Sequence, residues 1–296
     1  MDGIINVLKP PGMTSAAVVG WLRKQLHGQK IGHAGTLDPD AVGVLPVCVG
    51  KASRLAEYFT AQGKSYRAEL TFGLTTTTQD AAGQIIACQE PRLTRADLEA
   101  VLPRFLGEIQ QLPPMFSAVR HSGRRLYEYA RSGIEVERQA RTVTVYSLQV
   151  VGWREERFPC AVLDVECSKG TYIRTLCHDI GQALGCGGHM SYLLRTRSGP
   201  FTLATSWTLE ELEAAQAVGD ASFLLPLSSG LDLPLVTLPA ERARAFCQGL
   251  ATVASRIPGA RVCEGELVQV SDGQNLLGIG VWREQQLRPH KVLTER

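Results

Sequence analysis

Residues 66–72 alternate without a break. Tyr66, Ala68, Leu70 and Phe72 fall on one side of an extended chain, and Arg67, Glu69 and Thr71 on the other. Successive strand side chains point to opposite faces, so this pattern demands a sheet with one face buried and the other solvated. Residues 160–167 repeat the demand, with Ala161, Leu163, Val165 and Cys167 on a shared face. Further strands are expected at 3–8, 143–151 and 189–195. Helices are expected between them. The first follows a Thr14 or Ser15 cap and aligns Val18, Leu22 and Leu26. Others are expected at 51–60, at 94–106 behind a Thr94–Asp97 capping box, at 208–216 and at 240–249. One more begins after Gly170, where Ile173, Cys177, Ile180 and Leu184 form the buried stripe and Arg174 lies at its margin.

The 296 residues suffice for one large domain, or a large one and a small one. The Pro-rich stretch 224–239 places the boundary, giving domains at 1–230 and 231–296, the second with a hairpin turning at Asp272-Gly273. With 31 Lys+Arg against 29 Asp+Glu, the net charge of +2 gives no global sign of a nucleic-acid partner. Segment 112–142 differs. Arg120, Arg124, Arg125, Arg131, Arg138 and Arg141 stand against Glu128, Glu135 and Glu137, six minus three giving +3, with Tyr127 and Tyr129 interleaved. Such a stretch suits phosphate contacts and base stacking, or is a solvated charged loop.

The eight cysteines contain no Cys-x-x-Cys pair, which fits a reducing setting. Cys177, His178, Cys186 and His189 are the most metal-like cluster, but Cys177 belongs to the apolar stripe, so no metal is expected. The apolar stretch 223–239 is interrupted by Pro226, Asp232, Pro234 and Pro239, so no membrane partner is expected. Gly50-Lys51 fails as a phosphate loop, because Gly43 is too far back and Ala52 stands where a Ser or Thr would hold magnesium. Dinucleotide and nucleophile-elbow signatures are missing as well. What remains is Gly32-His33-Ala34-Gly35-Thr36-Leu37-Asp38-Pro39. On residue type alone, Asp38 ahead of a proline is a turn residue.

That loop resembles the catalytic loop of the pseudouridine synthases that modify the T-loop of tRNA, the tRNA pseudouridine-55 synthase family, in which Gly-His-x-Gly-x-Leu-Asp-Pro carries the catalytic aspartate. Further stretches resemble family blocks in the family's order: Lys9-Pro10-Pro11-Gly12-Met13-Thr14-Ser15, Gly43-Val44-Leu45-Pro46, Lys64-Ser65-Tyr66-Arg67, Ser117-Ala118, Tyr127-Glu128-Tyr129-Ala130-Arg131 and Cys167-Ser168-Lys169-Gly170-Thr171-Tyr172-Ile173-Arg174. The resemblance covers about residues 2–230. The tail resembles, more weakly, the family's small RNA-binding module related to the PUA domain.

The resemblance implies an α+β fold, with a mixed, mainly antiparallel central sheet flanked by helices and a small β-rich PUA-like C-terminal domain. It implies an isomerase that converts uridine 55 in the T-loop of tRNA to pseudouridine, by base flipping, glycosidic bond breakage and reattachment through C5. Asp38 is then the carboxylate that starts the reaction, and Arg174 the guanidinium expected to hold its pKa low. Tyr66 is the aromatic residue on which the target base stacks, and the resemblance leaves open whether it also takes part in removing the C5 proton. His33 fills the space left by the flipped nucleotide. Asp80 matches the acidic residue of a Thr-x-Asp-x-x-Gly loop, its partner expected to be RNA or nearby main chain, although Thr76 stands where many members carry another aspartate. Tyr172, Arg124 and Arg125 complete the expected RNA-binding set, the two arginines on a mobile thumb formed by 112–142. No cofactor is implied. The expected partner is the tRNA T-stem-loop, and the expected state a cytoplasmic monomer. Residues beyond about 230 are expected to add affinity only, so that a chain ending there folds and keeps single-turnover chemistry. Two other readings stay open: a guide-RNA-dependent synthase of the same superfamily, and a non-enzymatic tRNA-binding or folding factor in which Asp38 is merely a turn residue.

Overall fold

The structure is a computed structural model and describes residues 1–293. The chain opens with β1 (Gly3–Lys9) and turns through Pro10–Gly12 into α1 (Ser15–Gln25), where Thr14 Oγ1 accepts the Ala17 N–H at 3.0 Å. Thr14 is therefore the cap, and Val18, Leu22 and Leu26 are buried along one face. Strand β2 (Ile31–His33) precedes the Asp38 loop, and β3 (Val42–Val49) follows it. The helix expected at 51–60 divides into a 3-10 turn at Gly50–Arg54 and α2 (Ala56–Thr60). Strand β4 (Lys64–Phe72) carries the alternating pattern, and β5 (Leu74–Thr76) with β6 (Ile85–Cys88) forms a small hairpin. Helix α3 (Arg95–Val101) has the Thr94–Asp97 capping box and runs into a 3-10 turn at Leu102–Phe105.

Segment 112–142 leaves β7 (Gly107–Gln111) and rejoins the fold at β10 (Arg141–Arg154). Between these it forms a tight hairpin, β8 (Arg120–His121) and β9 (Arg124–Arg125), and then α4 (Leu126–Arg131). Leu126 is buried and anchors the helix, and its N–H donates to Val119 O at 2.8 Å. Beyond lie β11 (Cys160–Cys167), α5 (Ile173–Ala183), β12 (Gly188–Ser198), β13 (Phe201–Thr202), α6 (Leu209–Ala217) and β14 (Leu224–Leu225). The C-terminal part contains β15 (Leu235–Thr237), α7 (Ala240–Cys247), β16 (Thr252–Val253), β17 (Leu267–Ser271), β18 (Leu276–Arg283) and β19 (Gln286–Val292).

The principal sheet has the order β14-β1-β3-β12-β4-β11-β10-β7, with β2 on β3 and β13 on β12. Its pairings are antiparallel except β3 with β12, where Val42 and Gly43 run parallel to Leu194 and Arg195. Strand β4 lies between β11 and β12, which explains its alternation. Ala68, Leu70 and Phe72 point into a core with Leu163, Leu176, Cys177 and Ile180, whereas Arg67 pairs with Asp164 on the open face at 2.7 Å. Helices α1 and α6 pack their apolar faces with Ile5, Val7, Leu45 and Val47. The second sheet, β15-β17-β18-β19-β16, has its own core around Phe246 and Trp282. It is not detached from the first, because Ile279 and Leu293 belong to a packed cluster with Ile4, Ala34, Val44 and Phe59. Among the described residues, no helix is long and apolar enough to cross a membrane.

Candidate active site

The Asp38 loop is fixed from three directions. Ser15, 2% exposed on the first turn of α1, uses its hydroxyl both ways, donating to Leu37 O at 3.0 Å and accepting the Leu37 N–H at 2.9 Å. Lys9, fully buried at the end of β1, donates to Pro10 O, Met13 O and Pro39 O at 2.8, 2.6 and 2.7 Å. Three acceptors match the three protons of an ammonium, although burial lowers the Lys9 pKa to about 8. Arg195 of β12, also fully buried, donates to Val44 O, Thr36 O and Gly35 O. Close approach of β12 requires glycine at 43, where a Cβ would sit 2.2 Å from Arg195 O. The loop is thus held by main-chain contacts on either side of Asp38, the arrangement that keeps a reactive side chain within tight limits.

Asp38 meets Arg174 in a fork. Nε lies 3.0 Å from Oδ2, and Nη2 donates to Oδ1 at 3.3 Å. Arg174, at the margin of the α5 apolar stripe, is itself buried. Its remaining donors go to Phe116 O at 2.8 Å, Thr78 O at 3.3 Å and Asp80 Oδ2 at 3.3 Å. Asp80 therefore pairs with Arg174, while its other oxygen accepts from Thr78 Oγ1 and from the Ala82 N–H at 3.1 Å. One guanidinium stands between two carboxylates, of which Asp38 is the more open, at 39% side-chain exposure against 19% for Asp80. Enclosure raises the Asp38 pKa above its ordinary value, and Arg174 pulls it down again without cancelling the rise. The low pKa anticipated from the arginine alone is overturned, because desolvation outweighs the counter-ion and Asp80 adds repulsion.

Tyr66 is buried in β4, with Val165 and Arg195 as its neighbours in register, and joins the cluster that includes Leu37 and Ala41 on either side of Asp38. Burial raises its phenol pKa, so the ring carries its proton at neutral pH. His33 ends β2; burial and the Arg195 charge lower its pKa, and Nδ1 is enclosed with no hydrogen-bond partner among the described residues. Tyr172 precedes α5, with its main chain bonded to Gln111.

Arg124 and Arg125 lie apart from this group, exposed on the β8–β9 hairpin. Arg124 covers the Tyr129 ring at 4.7 Å, and Arg125 and Arg131 cover Tyr127 at 5.9 and 5.4 Å. These tyrosines, expected to stack on bases, here stack under arginines of their own segment. No group of three or more potential metal-ligating side chains occurs among the described residues.

A mixed, largely antiparallel sheet with this layout is the pseudouridine synthase fold. A solved structure of a Cbf5-Nop10-Gar1 complex shares it with a TM-score of 0.77 and 32% identity, covering 99% of this chain and 85% of that one. An H/ACA RNP bound to a substrate RNA containing 2'-deoxyuridine matches at 0.76 and 29%, over 99% and 86%. The chain belongs to the TruB family of pseudouridylate synthases: residues 23–173 match that family's N-terminal domain, and 174–242 match the C-terminal domain of tRNA pseudouridylate synthase B. Among its relatives, the tRNA pseudouridine synthase B of Symbiobacterium thermophilum is 52% identical over 85% of this chain and 83% of its own. That of Heliobacterium modesticaldum is 46% identical over 99% and 96%.

Proposed function

We propose that the chain acts alone on tRNA, isomerising the T-loop uridine at position 55 to pseudouridine with Asp38 as the catalytic carboxylate. The observation that carries this reading is the Asp38–Arg174 fork inside a loop held by Ser15, Lys9 and Arg195. The target base must leave its stack, at a cost of a few kcal/mol, and in this reading His33 fills the vacated space. Asp38, ionised and partly open, then attacks the nucleoside or removes a ribose proton, and the C1′–N1 bond breaks. The uracil turns, C1′ bonds to C5, the C5 proton departs and N1 gains a proton, so atoms and electrons balance without an oxidant or an energy source. Arg174 keeps the carboxylate charged and aimed, and Tyr66 offers a protonated aromatic wall to the base.

The relatives that match nearly the whole chain are named for tRNA, at higher identity than the solved protein complexes. This favours tRNA over a guided substrate. Residues 1–230 are read as the catalytic domain and 231–296 as an RNA-binding one. The test is to incubate the purified chain with an unmodified tRNA transcript and map pseudouridine. Product at position 55 without other components is expected. Product only with a guide RNA and partner proteins would favour the guided reading, and tight binding without product the non-enzymatic one.

A further inference from the structure

Gln111 closes β7 and is 2% exposed, yet no step of the proposed reaction uses it. Both polar ends of its side chain go to the main chain of one distant residue. Oε1 accepts the Tyr172 N–H at 2.7 Å, and Nε2 donates to Tyr172 O at 3.0 Å. Tyr172 opens α5, and its own side chain makes no capping bond. Its carbonyl also accepts the first helical bond, from the Leu176 N–H at 3.0 Å. Arg174 is the second residue of that helix. Five residues beyond Gln111, Phe116 O accepts from Arg174 Nη2 at 2.8 Å. The short stretch 111–116 therefore holds the start of α5 through Gln111, at Tyr172, and the Arg174 guanidinium through Phe116.

We propose that Gln111 is a positioning residue for the reaction: its amide fixes the start of α5 so that Arg174 meets Asp38 as a fork. The proposal rests on the assignment of Asp38 and Arg174 given above. A fork has narrow angular tolerance, and a misplacement of about 1 Å at a reacting group can cost ~100-fold in rate. A helix start this enclosed also needs partners for stability alone, so the test must separate aiming from folding.

Gln111→Met keeps the length and the apolar volume but removes both hydrogen bonds. With tRNA at saturating enzyme, the single-turnover rate should fall about 10–100-fold while tRNA affinity changes little and circular dichroism remains native. In an Arg174→Lys background the same substitution should add little further loss, because groups acting through one another are not additive. An unchanged rate in folded Gln111→Met protein overturns the proposal, and so do losses that multiply in the double variant. If Gln111→Met does not fold, Gln111→Glu replaces it in both comparisons, since it keeps an acceptor for the Tyr172 N–H and sets a carboxylate against Tyr172 O. A wild-type rate for Arg174→Lys alone would instead sink the assignment of Arg174 itself, which distinguishes the two failures.

Discussion

At the scale of single residues, the unusual feature is a carboxylate kept where ionisation is disfavoured. Burial raises the Asp38 pKa, so in the folded state the proton is held more tightly than in the unfolded chain. That difference stabilises the fold at low pH and is lost as pH rises through the folded value. The stabilising difference is thus confined to the acid side of the folded value. Asp38→Asn should abolish pseudouridine formation in single turnover and leave tRNA binding intact; near-normal turnover by folded variant protein would return Asp38 to a turn role. The sign of the shift has a kinetic counterpart. The charges of Arg174 on α5, Lys9 on β1, Asp80 between β5 and β6, and Asp40 all act on this carboxyl, and their sum with burial leaves it raised. The rate at saturating enzyme should thus fall on the acid side with a midpoint above the ~3.9 of a free aspartate, and a midpoint at or below that value would contradict the burial argument. Asp38 was legible as a candidate only through the resemblance of its Gly32–Pro39 loop to a known catalytic loop, its residue type alone reading as a turn. Arg195, which lies 160 residues from the Gly35 carbonyl it holds, and Gln111, 61 residues from Tyr172, were not, since nothing local marks either.

Among the elements, legibility followed how much of each face is buried. Strand β4 carries Tyr66, Ala68, Leu70 and Phe72 on one buried face and was plain in the sequence. The β5–β6 hairpin was missed because all four residues of β6 are exposed, so burial imposes no period on them. Strand β2 spans only three residues inside a polar stretch and is defined by its pairing with β3. In the 50–60 region the buried set Ala52, Leu55 and Phe59 keeps helical spacing across the join, so the pattern suggests one helix although the hydrogen bonding changes near Leu55. The arginine-rich segment carries the prediction at this scale. With Tyr127 and Tyr129 already under arginines, its contribution to RNA should be charge more than base stacking. Arg124→Ala with Arg125→Ala should weaken tRNA binding and flatten the slope of log affinity against log salt by about 0.7–0.9 for each phosphate no longer neutralised. Fluorescence titration across a salt series measures that slope, and an unaltered one would make these arginines solvated surface only.

Over the whole molecule, the Pro-rich stretch suggests a tail that could be removed, and the packing argues against it. Strand β14 lies in the principal sheet and β15 in the second, so the chain does cross between sheets within that stretch. The crossing is clamped, however: Gln62 Nε2 donates to Gly230 O at 2.7 Å, and Gln269 Nε2 donates to Leu231 O and Leu233 O at 3.2 and 2.9 Å. Lys291 reaches back from β19 to Arg54 O at 2.9 Å and to Glu57 at 2.8 Å. Above all, Ile279 and Leu293 share a buried cluster with Ala34, which lies four residues before Asp38, and with Val44 and Phe59. Burial of an aliphatic side chain of this size is worth about 1.5–3 kcal/mol. Removing two of them, and baring the apolar surface they cover, consumes a large share of the ~5–15 kcal/mol by which a domain is stable. A chain ending near residue 230 should therefore melt well below the full chain, and its single-turnover rate should not recover at saturating enzyme, because the support under the Asp38 loop has gone. Thermal melting beside saturating single-turnover assays decides between the two views. A truncated protein that melted like the full chain and reached its rate would show the second sheet to be an affinity module only, with its packing against Ala34 dispensable.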